Sequence, residues 1–166
     1  MSKTQTIIES TYKKLINDEQ LLRLLHYPPE NLVDDIPPPI SDKHPDILKK
    51  SEKEYWQIVD EHIYRKTKAD DLQNKKICRI YVYTGNKKTT RNMRVSKREI
   101  VIDIFCNHDY EVDYRIESIT DRLSELLFLK RVEGGMGVIE YKNGYEFVAP
   151  NGYEAYRHIY VVGETK

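Results

Sequence analysis

An α+β fold is predicted for this chain: a mostly antiparallel sheet of about five strands covered by an amphipathic helix, with an N-terminal helical segment ahead of it. Three observations carry the prediction. Apolar residues recur at helical spacing up to about residue 68, and after Asn74 the pattern turns to alternation and β-branched runs. One strongly amphipathic stretch then interrupts the strand-like segments, and two clusters of Asn, Gly and Pro punctuate the C-terminal end. At 166 residues the chain suits a single domain, 1–166. Residues 1–70 form its helical segment with a proline-rich crossover, and residues 75–166 its α+β core.

Taken in order, Ile7, Ile8, Thr11, Leu15 and Ile16 make the stripe of a first helix, with Lys13 and Lys14 facing away. Asn17 or Asp18 caps a second, short helix through Leu21, Leu22, Leu24 and Leu25, which must stop before Pro28. Prolines cluster over residues 27–45, so an extended or polyproline conformation is expected there in place of compact packing. This segment reads equally as a strap laid across a neighbouring subunit or as an ordinary crossover. A third helix is expected within residues 46–68, its stripe made by Leu48, Tyr55, Ile58, Val59, His62 and Ile63. His62 has no second ligand at helical spacing and reads as a buried ring.

Residues 77–83 form the first predicted strand, ended by Gly85, and residues 99–106 the clearest one. In the latter Ile100, Ile102, Ile104 and Cys106 face one side, and Glu99, Val101, Asp103 and Phe105 the other. Between them lies a basic hairpin loop with Lys87, Lys88, Arg91, Arg94, Lys97 and Arg98 and no acidic residue. Asp113 is expected to cap a helix through Ile116, Ile119, Leu123, Leu126 and Leu127 that covers one face of the sheet. The glycines at 134, 135 and 137 end that helix. A meander closes the chain: residues 137–141, a turn at Lys142-Asn143-Gly144, residues 145–148, a turn at Pro150-Asn151-Gly152, and residues 154–162.

Charge narrows the function classes. The 27 basic side chains balance 27 acidic ones, which leaves no global field to draw the chain onto nucleic acid or anionic lipid. No apolar run approaches the roughly 18 residues of a membrane helix. The N-terminus lacks a signal-peptide core, so an intracellular product is expected. Cys78 and Cys106 sit in apolar stretches as buried reduced thiols. The basic loop is either a finger that touches nucleic-acid phosphate or an acidic protein surface, or a solubilising loop tip. Neutral overall charge, and Tyr83 as the one aromatic close by to stack on bases, favour the loop tip or the protein contact.

Catalytic signatures are weak. The five histidines accompany no Ser or Cys nucleophile motif. Cys106, His108 and Asp109 form one short cluster with no second cluster to complete a zinc site. The glycine-rich turn lacks the strand, helix and lysine of a P-loop. Glu140-Tyr141-Lys142 has the period-two spacing with which metal-dependent nucleases set a carboxylate beside a lysine, and Asp103 is the acid best placed to complete it. The same triplet is an ordinary exposed strand end, and that reading is preferred. The chain is therefore expected to be no enzyme and to need no cofactor or metal, with a nuclease using Asp103, Glu140 and Lys142, or a small nucleic-acid-binding module using the 87–98 loop, as the alternatives.

The alternating strand over residues 98–108, followed shortly by the amphipathic helix over residues 114–127, lies between a helical N-terminus and a closing meander. This order resembles the small head-tail connector and tail terminator (tail completion) proteins of tailed bacteriophages. The resemblance covers residues 77–162, about half of the chain, and rests on patterns of residue type. Residues 27–68 are longer than in the smallest members of that group. The resemblance implies a structural virion protein, assembled in the host cytoplasm, that forms a homo-oligomeric, commonly hexameric ring at the head-tail junction or the head-proximal end of the tail. Its partners would be copies of itself and the tail tube or head connector proteins, with genomic DNA passing through the lumen and no membrane involved. The 87–98 loop would then point into the lumen or onto the protein beneath.

Overall fold

A capping box opens the first helix in the computed structural model, which describes residues 1–65 and 70–165. The Ser2 hydroxyl accepts from the Gln5 amide and the Gln5 side chain accepts from the Ser2 amide, which satisfies two orphan donors of α1 (Lys3–Ile16). Asp18 caps α2 (Glu19–His26) through the Leu21 amide at 2.8 Å, and the helix ends before Pro28 as expected. Ser51 and Glu54 form a second box at the start of α3 (Glu52–His62). Leu48 lies outside that helix, exposed on a 3-10 turn (Ile47–Lys49) whose buried residue is Ile47. Ile63 also leaves the helix and begins β1 (Ile63–Tyr64). Residues 66–68, the end of the predicted helical stretch, lie outside the described residues.

The sheet has five strands in the order β1-β2-β3-β5-β4. They are β1, β2 (Cys78–Thr89), β3 (Val95–Asn107), β4 (Met136–Phe147) and β5 (Tyr153–Thr165). All neighbours are antiparallel except β1 and β2. The expected class and strand count hold, but two boundaries do not. Gly85 does not end the first strand, because β2 runs on to Thr89 and shifts register between Thr84 and Lys87. A side chain at Gly85 would press into Glu99 and Val101, so glycine here permits a close approach inside a strand. Asn143-Gly144 likewise makes no hairpin turn. Strand β4 passes through it with a register shift between Tyr141 and Asn143, and Gly144 leaves room for the Tyr141 hydroxyl and the Tyr156 ring. The two short strands expected there are one, and β1 restores the number to five.

Helix α4 (Arg115–Leu127) buries Ile116, Ile119, Leu123 and Leu127 against the sheet. Asp113 does not cap it. Tyr114 occupies the cap position in the left-handed region, Asp113 pairs with Arg115, and the Glu111 carboxylate accepts from the Ile116 amide at 3.2 Å instead. Helices α1, α2 and α3 join α4 on the same face, where Ile80, Val82, Ile100, Ile102, Ile104 and Tyr160 form a continuous core with them. The opposite face carries a smaller cluster around Leu72, Tyr81, Phe105, Tyr153 and Ala155.

The proline-rich crossover is packed, contrary to the extended conformation expected. Arg23, almost fully buried on α2, donates to the carbonyls of Ser41 (2.8 Å) and His44 (3.3 Å) and pairs with Asp46. Tyr27 stacks on His44 at 4.0 Å and donates to the Pro45 carbonyl at 2.6 Å. These bonds fold the segment onto its own chain, and its turn at residues 31–36 holds Leu32 and Val33 out to solvent.

Candidate functional site

The six basic side chains of the predicted loop stand on a two-stranded ribbon more than on a loop. Lys87 and Lys88 belong to β2 and pair in register with Arg98 and Lys97 of β3, so only Arg91 and Arg94 lie in the connection itself. Neutralisation comes from across the sheet. Glu164 of β5 pairs with Lys87 (3.4 Å) and Arg98 (3.3 Å), and Glu140 of β4 pairs with Lys97 (3.1 Å). Among the described residues Lys88, Arg91 and Arg94 have no ion pair, and Met93 between the two arginines is 86% exposed. The basic feature thus narrows to a tip of two guanidiniums flanking an exposed thioether, with one lysine behind it.

The residues of the possible nuclease site are not brought together. Asp103 is buried on β3, where Arg157 grips it with two bonds (2.7 and 2.9 Å) and the Tyr83 hydroxyl donates to it at 2.7 Å. Glu140 lies opposite Val161, whose other neighbour is Glu99. Glu99 and Asp103 are four residues apart on one strand, about 13 Å at the usual rise. Lys142 is bound to Glu99, a pairing that with the Asn86 amide overcomes burial and holds the Glu99 carboxyl below the usual range. Each carboxylate therefore already holds a cation. No group of three or more His, Cys, Asp or Glu side chains among the described residues is arranged to hold a metal.

The buried histidines and thiols are structural. His62 donates through Nδ1 to the Cys78 carbonyl at 2.7 Å, which leaves Nε2 to accept from His26 Nδ1 at 3.2 Å. Burial lowers the His62 pKa to about 4, against the ordinary 6.5. Burial does the same to His158, which bridges Thr120 (2.8 Å) on α4 and Tyr141 (3.0 Å) on β4. Cys78 and Cys106 face one another in register with sulfurs 2.6 Å apart. The bond from Cys78, together with burial, drives the Cys106 thiol far above its ordinary range, so the Cys106 sulfur is not an activated nucleophile.

At the other end of the sheet the sequence reading missed a groove. A cavity of about 520 Å³ opens between α4 and the β4–β5 connection. Its walls carry the carboxylates of Glu111, Glu117, Asp121, Glu146 and Glu154, and no Lys or Arg lines it. On the sheet side the Tyr156 ring, tilted against His158, supplies an aromatic floor. Burial, with the Glu117 charge adding to it, pushes Glu111 up to about 7. Four separate segments contribute these residues, so no linear run of charge announces them. One signal was available: Glu117 and Asp121 stand one turn apart on α4, and like charges at that spacing weaken a helix.

Comparison with known proteins agrees with the phage resemblance in kind. The SPbeta prophage-derived protein YomW of Bacillus subtilis (strain 168) is 29% identical over 178 aligned positions, which cover 100% of both chains. Among solved structures, a chain from the virion of a native gene transfer agent particle superposes with a TM-score of 0.56 at 10% identity. That match covers 98% of this chain and 96% of the other, a likeness of fold. The family model named YomW matches residues 18–162, which includes α2, the crossover, α4 and nearly the whole sheet. By that match the chain belongs to the YomW family.

Proposed function

We propose that this chain is a structural protein of a tailed-phage virion, forming a ring at the head-tail junction or the head-proximal end of the tail. The observation that carries the reading is the near end-to-end fold likeness to a chain of a gene transfer agent virion, with the helical N-terminal segment included in the match. The prophage origin of the YomW relative supports it independently. The chemistry of the sheet agrees: Asp103, Glu140 and Glu164 are each paired with a cation, the buried histidines are neutral, and the ribbon end offers charge without base readout. Partners are further copies of the chain and tail-tube or head-connector proteins, with the genome passing through the lumen. Among the described residues no helix is long and apolar enough to cross a membrane.

Mass measurement and negative-stain imaging of the purified chain, alone and together with the products of neighbouring genes, test this reading. Annular particles of defined mass are the expected result. A chain that stays monomeric with every candidate partner, while prophage particles lacking its gene still join heads to tails, would sink the proposal.

A further inference from the structure

The unneutralised basic tip and the acidic groove lie at opposite ends of the same sheet. Strand β3 begins beside the tip at Val95 and ends at Asn107, opposite Tyr153 at the groove end of β5. Thirteen residues of strand span about 40 Å. The two features cannot meet within one chain. The groove gathers five carboxylates with no lysine or arginine in its lining, whereas the tip presents Arg91 and Arg94 without an acid. Their apolar parts also correspond, since Met93 projects between the arginines and the groove floor is aromatic. A flexible thioether packs favourably on aromatic rings, and guanidiniums bind carboxylates bidentately.

We infer that the Arg91-Asn92-Met93-Arg94 tip of one copy seats in the Glu117, Asp121 and Glu146 groove of the next, a head-to-tail contact between copies of this chain. The contact rests on the ring reading and gives it an interface. It uses two different surfaces, so it is heterologous. Such contacts close into rings when the rotation per subunit divides a full turn, and otherwise run on as filaments. Met93 would sit over Tyr156, with each arginine turned to a carboxylate of the wall. DNA is the poorer occupant of the tip, which offers only Lys88, Arg91 and Arg94 and no stacking aromatic.

A thiol-trapping experiment on the full chain tests it. Met93→Cys places a thiol on the tip and Ala149→Cys places one at the groove, while the native thiols are fully buried. With a short bifunctional maleimide the double variant should give a ladder of multimers, and each single variant no more than dimers. Adding Arg91→Glu and Arg94→Glu should cut the ladder at least about tenfold, because like charges would then face each other. Placing Glu117→Lys and Asp121→Lys in that same chain should restore it. No ladder, or a ladder indifferent to charge reversal, overturns the contact. Solution mass of the unmodified chain separates the two claims. Rings without a charge-dependent ladder would overturn this interface and leave the ring reading standing. A ladder from a monomeric chain would support the interface and assign closure to a docking partner. DNA affinity lost on tip reversal, with no ladder at any stage, would overturn the contact in favour of a nucleic-acid tip.

Discussion

On the helix-covered face of β3, Ile100, Ile102, Ile104 and Cys106 are wholly buried among aliphatic side chains. On its other face Glu99, Val101, Asp103 and Phe105 are almost as deeply buried, yet the chemistry there is ion pairs and aromatic rings. Tyr83, Asp103, Arg157 and Tyr145 link four strands in one polar row. Beside it Tyr64, Tyr81, Phe105 and Phe147 meet edge to face, with the last pair joining over the small side chain of Ala155. Equal burial therefore does not mean equal physics. One face is held by area removed from water, the other by the geometry of paired groups.

Truncation on the first face should have the largest effect. Ile102→Ala leaves a cavity in a close-packed layer and should cost about 4 kcal/mol, read from the midpoint of urea unfolding. On the second face Asp103→Ala strands the Arg157 guanidinium and the Tyr83 hydroxyl and should cost about 3 kcal/mol. The distinguishing variant is the double one. Asp103→Leu with Arg157→Met removes both charges and should return to within about 1 kcal/mol of the parent chain. A double variant as unstable as Asp103→Ala would mean that the polar row contributes net stability and that the contrast between faces is false.

This contrast also explains what the sequence could tell. Alternation in residues 99–106 and helical spacing in α1, α2 and α4 report burial in aliphatic surroundings, and those elements were legible. Contacts that close long loops left no local pattern. Strand β1 exists because Ile63 and Tyr64 pair with Ile80 and Tyr81, and two residues carry no periodicity. The grip of Arg23 on the crossover links residues about twenty apart in sequence. Asn143-Gly144 misled because a turn signal assumes open space, whereas here the glycine makes room for two aromatic side chains. The site was legible as a run of positive charge, but its neutralisation by Glu140 and Glu164 was not. Nor was the acidic groove.

Acid should expose the polar contacts that lie within the helix-covered side. His62 and His158 hold pKa values of about 4, against 6.5 for a free ring, so the unfolded chain binds protons that the folded one refuses. Stability from these rings is therefore complete above about pH 6.5. It is lost as the pH falls toward 4, by up to about 3 kcal/mol per ring. Ring-proton chemical shifts followed by NMR check the two values. Either ring titrating near 6.5 in the folded chain would remove its contribution.

The smallest effect belongs to the rim of the paired face, where two lysine–carboxylate pairs separate burial from charge. Lys97 and Glu140 are both more than half exposed, whereas Lys142 reaches Glu99, whose side chain is only 5% exposed. A double-mutant cycle on the first pair should give about 0.5 kcal/mol or less and vanish in molar salt, since water screens both partners and ordering two long side chains offsets the attraction. Glu99 also accepts from the Asn86 amide, so Lys142→Ala leaves a buried carboxylate partly held and should cost about 1 kcal/mol, with less dependence on salt. If a second cycle, on Lys142 and Glu99, gives the same coupling and the same salt response as the first, burial is not what distinguishes pairs on this sheet. The strength assigned to the Asp103–Arg157 row would then have to come from its two-bond geometry alone.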